Sequence, residues 1–200
     1  MTSNYSLPTE FEINGELFKI RERGDFRIVL SCFNIISNVD LSDQEKTLSC
    51  LIVFYENFDD IDDVFNCKGT IEELVKQMFW FFGCGEDESE KKKNKPRLID
   101  WDKDRNLICS AINSVAGKDI RAEEYVHWWT FVSYYMAIGE CSLSTVVSIR
   151  HKMATGKKLE KYEREFRNEN PQYFNIDLRN PEDKAAEDYI RALWENGGEI

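Results

Sequence analysis

Only two histidines occur in the 200 residues, His127 and His151. They fall on different expected helices, so neither has a nucleophile or a second base beside it by spacing. No G-x-S-x-G elbow, P-loop or G-x-G-x-x-G turn is present. His127, close to Glu123 and Glu124, reads best as a structural histidine on an amphipathic helix. Asp59, Asp60, Asp62 and Asp63 invite a calcium reading. The calcium-loop pattern fails in every register, because Gly69 comes too late and the third ligand position is apolar. A solvated loop accounts for these acids. The six cysteines, Cys32, Cys50, Cys67, Cys84, Cys109 and Cys141, form no C-x-x-C pair. They are expected to be reduced and mostly buried thiols. No catalytic residue, metal site or cofactor is expected.

The remaining distinctive residues are aromatic or basic. Met78-Phe79-Trp80-Phe81-Phe82 is apolar all the way round a helix. So is His127-Trp128-Trp129, continued by Phe131, Tyr134, Tyr135 and Met136. At 100° per residue neither set fits one face. Either both helices are buried on several sides, or some rings reach a surface that contacts another protein. Trp128 and Trp129 lie about 100° apart, so one is expected in the core and the other at a partner. Between Arg150 and Arg167 seven basic residues, including Arg150, Lys157 and Lys158, face three acids. That stretch is expected as a solvated helix face or a dock for an acidic or amphipathic partner helix. The expected partner-binding set is therefore His127, Trp128, Trp129, Phe131, Tyr135, Arg150, Lys157 and Lys158. A second candidate surface is Phe79, Trp80, Phe81 and Phe82.

Composition limits the partner. The 37 acids and 26 bases leave a net charge of −11, the wrong sign for a general nucleic-acid binder. No apolar run reaches membrane-spanning length, and the polar start MTSNYSLPTEFE carries no secretory signal. The 42% apolar content suffices for a core, and only four prolines argue against a turn-rich sandwich.

Asn14-Gly15 in FEINGELFKI specifies a two-residue hairpin turn. It pairs Ile13 with Glu16 and puts Phe11, Ile13, Phe18 and Ile20 on one face. Helices are expected from Asp25 through Ile36, from Ser42 to about Asn57, and from Thr70 through Phe82. In the second of these, Leu48, Leu51, Ile52 and Tyr55 share the expected core face. Further helices are expected from Asp100 to Gly117, Arg121 to Ile138, Ser142 to Met153, Leu159 to Asn170, and after Asn180-Pro181. The fold class is thus mainly α, a bundle of seven or eight helices with a small N-terminal β-hairpin. Cys84–Arg97 has no large apolar residue and is expected to be a mobile loop inside a single domain over 1–200. It separates an N-terminal part, 1–83, of net −8 from a C-terminal part, 98–200, of net −4.

Several of these segments together resemble the bacteriophage gp-fifteen family. They are Asp25-Phe26-Arg27, Asp100-Trp101-Asp102-Lys103-Asp104, His127-Trp128-Trp129-Thr130-Phe131, Val147-Ser148-Ile149-Arg150 and Lys157-Lys158. The resemblance implies a non-enzymatic protein of long-tailed phages, working in the host bacterial cytoplasm. It also implies a tail-assembly chaperone that binds the tape-measure protein and delivers it to the major tail (tube) protein; the helical pattern is read as a monomer or a small homo-oligomer. The rival reading is an acidic decoy that imitates DNA to inhibit a host enzyme. It requires carboxylates at phosphate spacing on one face, whereas acids and bases alternate here.

Overall fold

The structure is a computed structural model describing residues 5–58, 70–86 and 96–178. The acidic cluster at 59–63, the centre of the expected loop at 84–97 and the expected helix after Asn180 lie outside those residues. The architecture matches the expectation: a hairpin of β1 (Glu10–Ile13) and β2 (Glu16–Lys19), then seven α-helices among the described residues. These are α1 (Phe26–Ile36), α2 (Asp43–Phe54), α3 (Thr70–Phe82), α4 (Arg105–Ala116), α5 (Trp128–Met136), α6 (Ser142–Ala154) and α7 (Lys161–Glu169).

The chain divides into two compact units that interleave in sequence. One takes Met1–Ser89 and Cys109–Ile138; the other takes Glu90–Ile108 and Gly139–Ile200.

In the first unit the hairpin has the expected register, with Phe11 opposite Phe18 and Ile13 opposite Glu16. Asn14 and Gly15 take φ of 53° and 85°, both in the left-handed region that this turn needs. Ile13, Phe18 and Ile20 are buried, and Leu17 points to solvent. After β2 the chain makes a turn at Arg21–Gly24 in which Glu22, Arg23 and Gly24 all have positive φ. Three successive left-handed residues are costly and must be held from outside. Arg21 donates to the carbonyls of Ile52, Val53 and Tyr55 at 2.9–3.2 Å, capping the end of α2. The Tyr125 hydroxyl donates to Arg23 O at 3.1 Å.

Asp25 then caps α1, as expected, accepting from Arg27 N at 3.0 Å. Its other oxygen accepts from Val126 N at 2.8 Å, and Phe26 N donates to Val126 O. The Arg27 guanidinium binds Asp25 and donates to the carbonyls of Ile120, Arg121 and Glu123. This corrects the expected helix from Arg121 to Ile138. The Val126 N–H is given to Asp25 rather than to a helical carbonyl, 120–126 is irregular, and α5 starts at Trp128. α2 differs too. It ends at Phe54, and its buried face is Cys50, Leu51 and Phe54, while Leu48 and Ile52 are exposed.

In the second unit α4 starts at Arg105, five residues later than the expected cap at Asp100. Asp100 caps a preceding turn instead, accepting from Asp102 N and Lys103 N. Asp104 is fully committed to Arg150. Its two oxygens accept from Nη1 and Nη2 at 2.6 and 2.9 Å, and Oδ2 also takes Asp100 N. Arg150 further donates from Nη1 to Leu98 O at 2.9 Å and from both Nε and Nη2 to Tyr173 O. All five of its N–H groups are used. Both side chains are buried, Arg150 to 0% exposure and Asp104 to 1%. On α7 the buried residue is Glu163, held by Lys152 Nζ at 2.7 and 2.8 Å, whereas Tyr162 is exposed. The Lys152 bond holds the Glu163 carboxyl below its ordinary range.

Candidate protein-binding surface

The aromatic residues of α3 and α5 are explained first by each other. A helix leaves its last carbonyls without partners. α3 ends in a Schellman turn: Gly85 N donates to Trp80 O and Cys84 N to Phe81 O. Cys84 has a φ of 57° at the position where glycine is usual. Trp128 Nε1 donates to Phe82 O at 3.0 Å, and Trp129 Nε1 donates to Phe81 O at 2.9 Å. The two adjacent indoles thus cap two adjacent carbonyls. Trp128 stacks on Phe131 at 5.5 Å and meets Phe33 edge-on at 5.7 Å. Trp129 packs against Trp80 at 5.5 Å. Both indoles bond to α3; of the two, Trp128 is buried and Trp129 half-buried, so Trp129 is the one that keeps some exposed ring.

His127 is the N-cap of α5. Its Nδ1 accepts from Trp129 N at 3.1 Å, so the ring proton is on Nε2, which lies 3.0 Å from Pro8 O. The ring is 2% exposed. Burial lowers its pKa; the Pro8 contact opposes that shift. Gly24 lies against this ring and Phe81, where a Cβ would meet Phe81 Cζ at 2.5 Å. Phe131 is buried and stacks on Phe26 at 4.6 Å.

The structure therefore sorts the sequence-derived candidates. His127, Trp128, Phe131, Phe81 and Phe82 are buried and have no surface to offer. Arg150 is corrected from a docking residue to a buried ion-pair partner, because Asp104 and two carbonyls saturate it. Trp80, Trp129 and Tyr135 are half-buried. Lys157 and Lys158 are exposed, in the second unit, just past Gly156 at the end of α6. Phe79 remains exposed at 45% on the first unit.

Phe79 borders an apolar opening on that unit. One cleft of about 210 Å³ is lined by Ile36, Cys50, Met78 and Phe79 with Asp43, Lys46 and Thr47. A second, of about 380 Å³, lies between α2 and α3 and is lined by Leu48, Leu51 and Ile71, again with Asp43 and Thr47. The Asp43–Thr47 edge of α2 is thus a ridge with a cleft on each side. Leu48 and Ile36 at these clefts are exposed at 39% and 36%. Sequence reasoning missed Leu48 by assigning it to the core face of its helix, and did not single out Ile36 or Ile71 as surface contacts. The available signal was α2 itself, whose Leu48, Leu51, Ile52 and Phe54 exceed one helical stripe.

Cys32 and Cys50 face each other across α1 and α2, each Sγ 3.7–3.9 Å from the other's carbonyl. The hydrogen bond to Cys50, with burial, pushes the Cys32 thiol up. No group of metal-ligating side chains is assembled among the described residues. No helix among them is long and apolar enough to cross a membrane.

The family model described as Bacteriophage Gp15 protein matches residues 4–175. No curated protein and no solved structure matches the chain. The matched span holds the Asp25–Arg27 clamp, the Asp104–Arg150 pair, the His127-Trp128-Trp129 cap and both clefts. With so much of its length covered, the chain belongs to the Bacteriophage Gp15 protein family.

Proposed function

We propose that this phage protein is a non-catalytic tail-assembly chaperone, acting in the host cytoplasm, that binds the tape-measure protein and delivers it to the tail-tube protein. The observation that carries this reading is the pair of open apolar clefts around α2, with Phe79 exposed beside them, on a chain of net charge −11. A tape measure exposes apolar helical stripes until the tube encloses it. A holder for it needs apolar seats for helices and a charged exterior that keeps the complex dissolved. Release to the tube requires modest affinity per site, so several copies per client are expected.

The test is co-expression with the tape-measure protein of the same phage. A client that moves from the pellet to the soluble fraction and copurifies with this chain supports the reading. A client that stays insoluble at equal chain abundance overturns it.

A further inference from the structure

The two clefts share Asp43 and Thr47 and are therefore neighbouring depressions on either side of one helical edge. Ridge and depression are the shape that receives side chains spaced i, i+3 and i+4 on a facing helix. Their linings mix apolar and polar residues, with Phe79 in one cleft and Ile71 in the other. The charge around them is one-sided. Asp43 and Lys46 line the clefts, and on the same sequence stretches Asp40, Glu45, Glu72 and Glu73 outnumber Lys76, which pairs with Glu73. The Asp43 side chain is fully exposed, and its nearest cation, Lys46 Nζ, is 4.0 Å away. A second copy of this chain would bring the same acidic excess against itself in an isologous contact. The complementary occupant is cationic.

We propose that the clefts flanking the Asp43–Thr47 ridge form one seat for the apolar stripe of a helix from another protein, a helix whose stripe is bordered by Lys or Arg. This rests on the chaperone reading and adds to it the site and the charge of the segment recognised. The apolar stripe supplies affinity, and the acidic border selects orientation and rejects helices with acidic flanks.

The experiment uses the full chain and three labelled peptides of one length. One has Leu at i, i+3, i+4 and i+7 with Lys on the flanks; one has the same Leu stripe with Glu flanks; one has the Lys-flanked composition permuted so that no stripe forms. Fluorescence anisotropy reads binding to wild type, to Leu48→Asn with Phe79→Ser, and to Asp43→Asn. Both apolar targets are solvent-exposed, so the thermal midpoint is expected to stay near wild type. The Lys-flanked stripe is expected to bind at least about tenfold more tightly than either other peptide. The double variant is expected to lose about tenfold, and Asp43→Asn several-fold.

Equal binding of the permuted peptide, or undiminished binding by a folded double variant, overturns the seat. Sedimentation showing a wild-type dimer that the double variant abolishes also overturns it, because the occupant is then a second copy. The outcomes separate from those of the chaperone test. If wild type and double variant solubilise the tape measure equally, the seat fails and the chaperone reading stands. If wild type does not solubilise it, the chaperone reading fails whatever the peptides do.

Discussion

Arg150 and His127 show how single side chains that look suited to contact a partner are instead committed to the fold. A guanidinium with no exposure survives only if all its donors and its charge are matched, and Asp104 with two carbonyls does this. Asp104→Asn leaves the cation buried without its counter-ion and is expected to cost about 3–5 kcal/mol, read as a shift in the urea midpoint. The joint change Asp104→Leu with Arg150→Met removes both charges and is expected to cost clearly less than the single one. His127 gives a pH dependence of definite sign. Its folded-state pKa lies below the ordinary 6.5, so the unfolded chain takes up the proton more readily. The stabilisation is complete above about pH 6.5 and is lost as pH falls through that value toward the folded one. His127→Asn keeps a side-chain oxygen for Trp129 N but has no proton to gain. The stability gap between wild type and this variant is expected to narrow or reverse between about pH 7.5 and pH 5; an unchanged gap would refute the assignment.

The α3–α5 junction shows what helices require of one another. Trp128→Phe and Trp129→Phe each remove one N–H from a carbonyl of α3. Each is expected to cost about 1 kcal/mol, the first more, because Phe81 O keeps Cys84 N as a donor and Trp128 is the deeper ring. Thermal denaturation should show both losses. A variant at Trp129 with unchanged midpoint would return that ring to the list of partner contacts. Local rules made much of this architecture legible. Asn14-Gly15 determines the hairpin, Asp25 the start of α1, Ser42 with Glu45 the capping box of α2, and Gly117 the end of α4. What sequence periodicity could not show was long-range. The irregular run at 120–126 is bound by Arg27, more than ninety positions earlier. The partner of Asp104, Arg150, lies 46 positions on. The exposed face of α2 was missed because apolar type alone cannot distinguish a core position from a docking one.

For the molecule as a whole, charge governs encounter and apolar area governs retention. With a net charge of −11, a cationic client should be drawn in over roughly a Debye length, about 10 Å at 0.1 M salt. Raising salt from about 0.02 to 0.3 M is expected to slow association with the Lys-flanked helix several-fold and to leave dissociation nearly constant, as stopped-flow anisotropy can read. Salt acting mainly on dissociation would mean that the contacts are ionic rather than apolar.

The interleaving of the two units sets a timetable for synthesis. The first unit draws on Cys109–Ile138, and its closing bonds join Asp25 to Val126 and Phe82 to Trp128. A ribosome that has released only the hairpin and the first three helices has released a body that still lacks the α5 indoles that cap Phe81 O and Phe82 O at the end of α3. Closure over about a hundred residues is slow relative to local helix formation, so this half-built body persists during translation. A nascent chain stalled before residue 126 should therefore be protease-sensitive, and one stalled well beyond residue 138 resistant, the transition falling as α5 clears the exit tunnel.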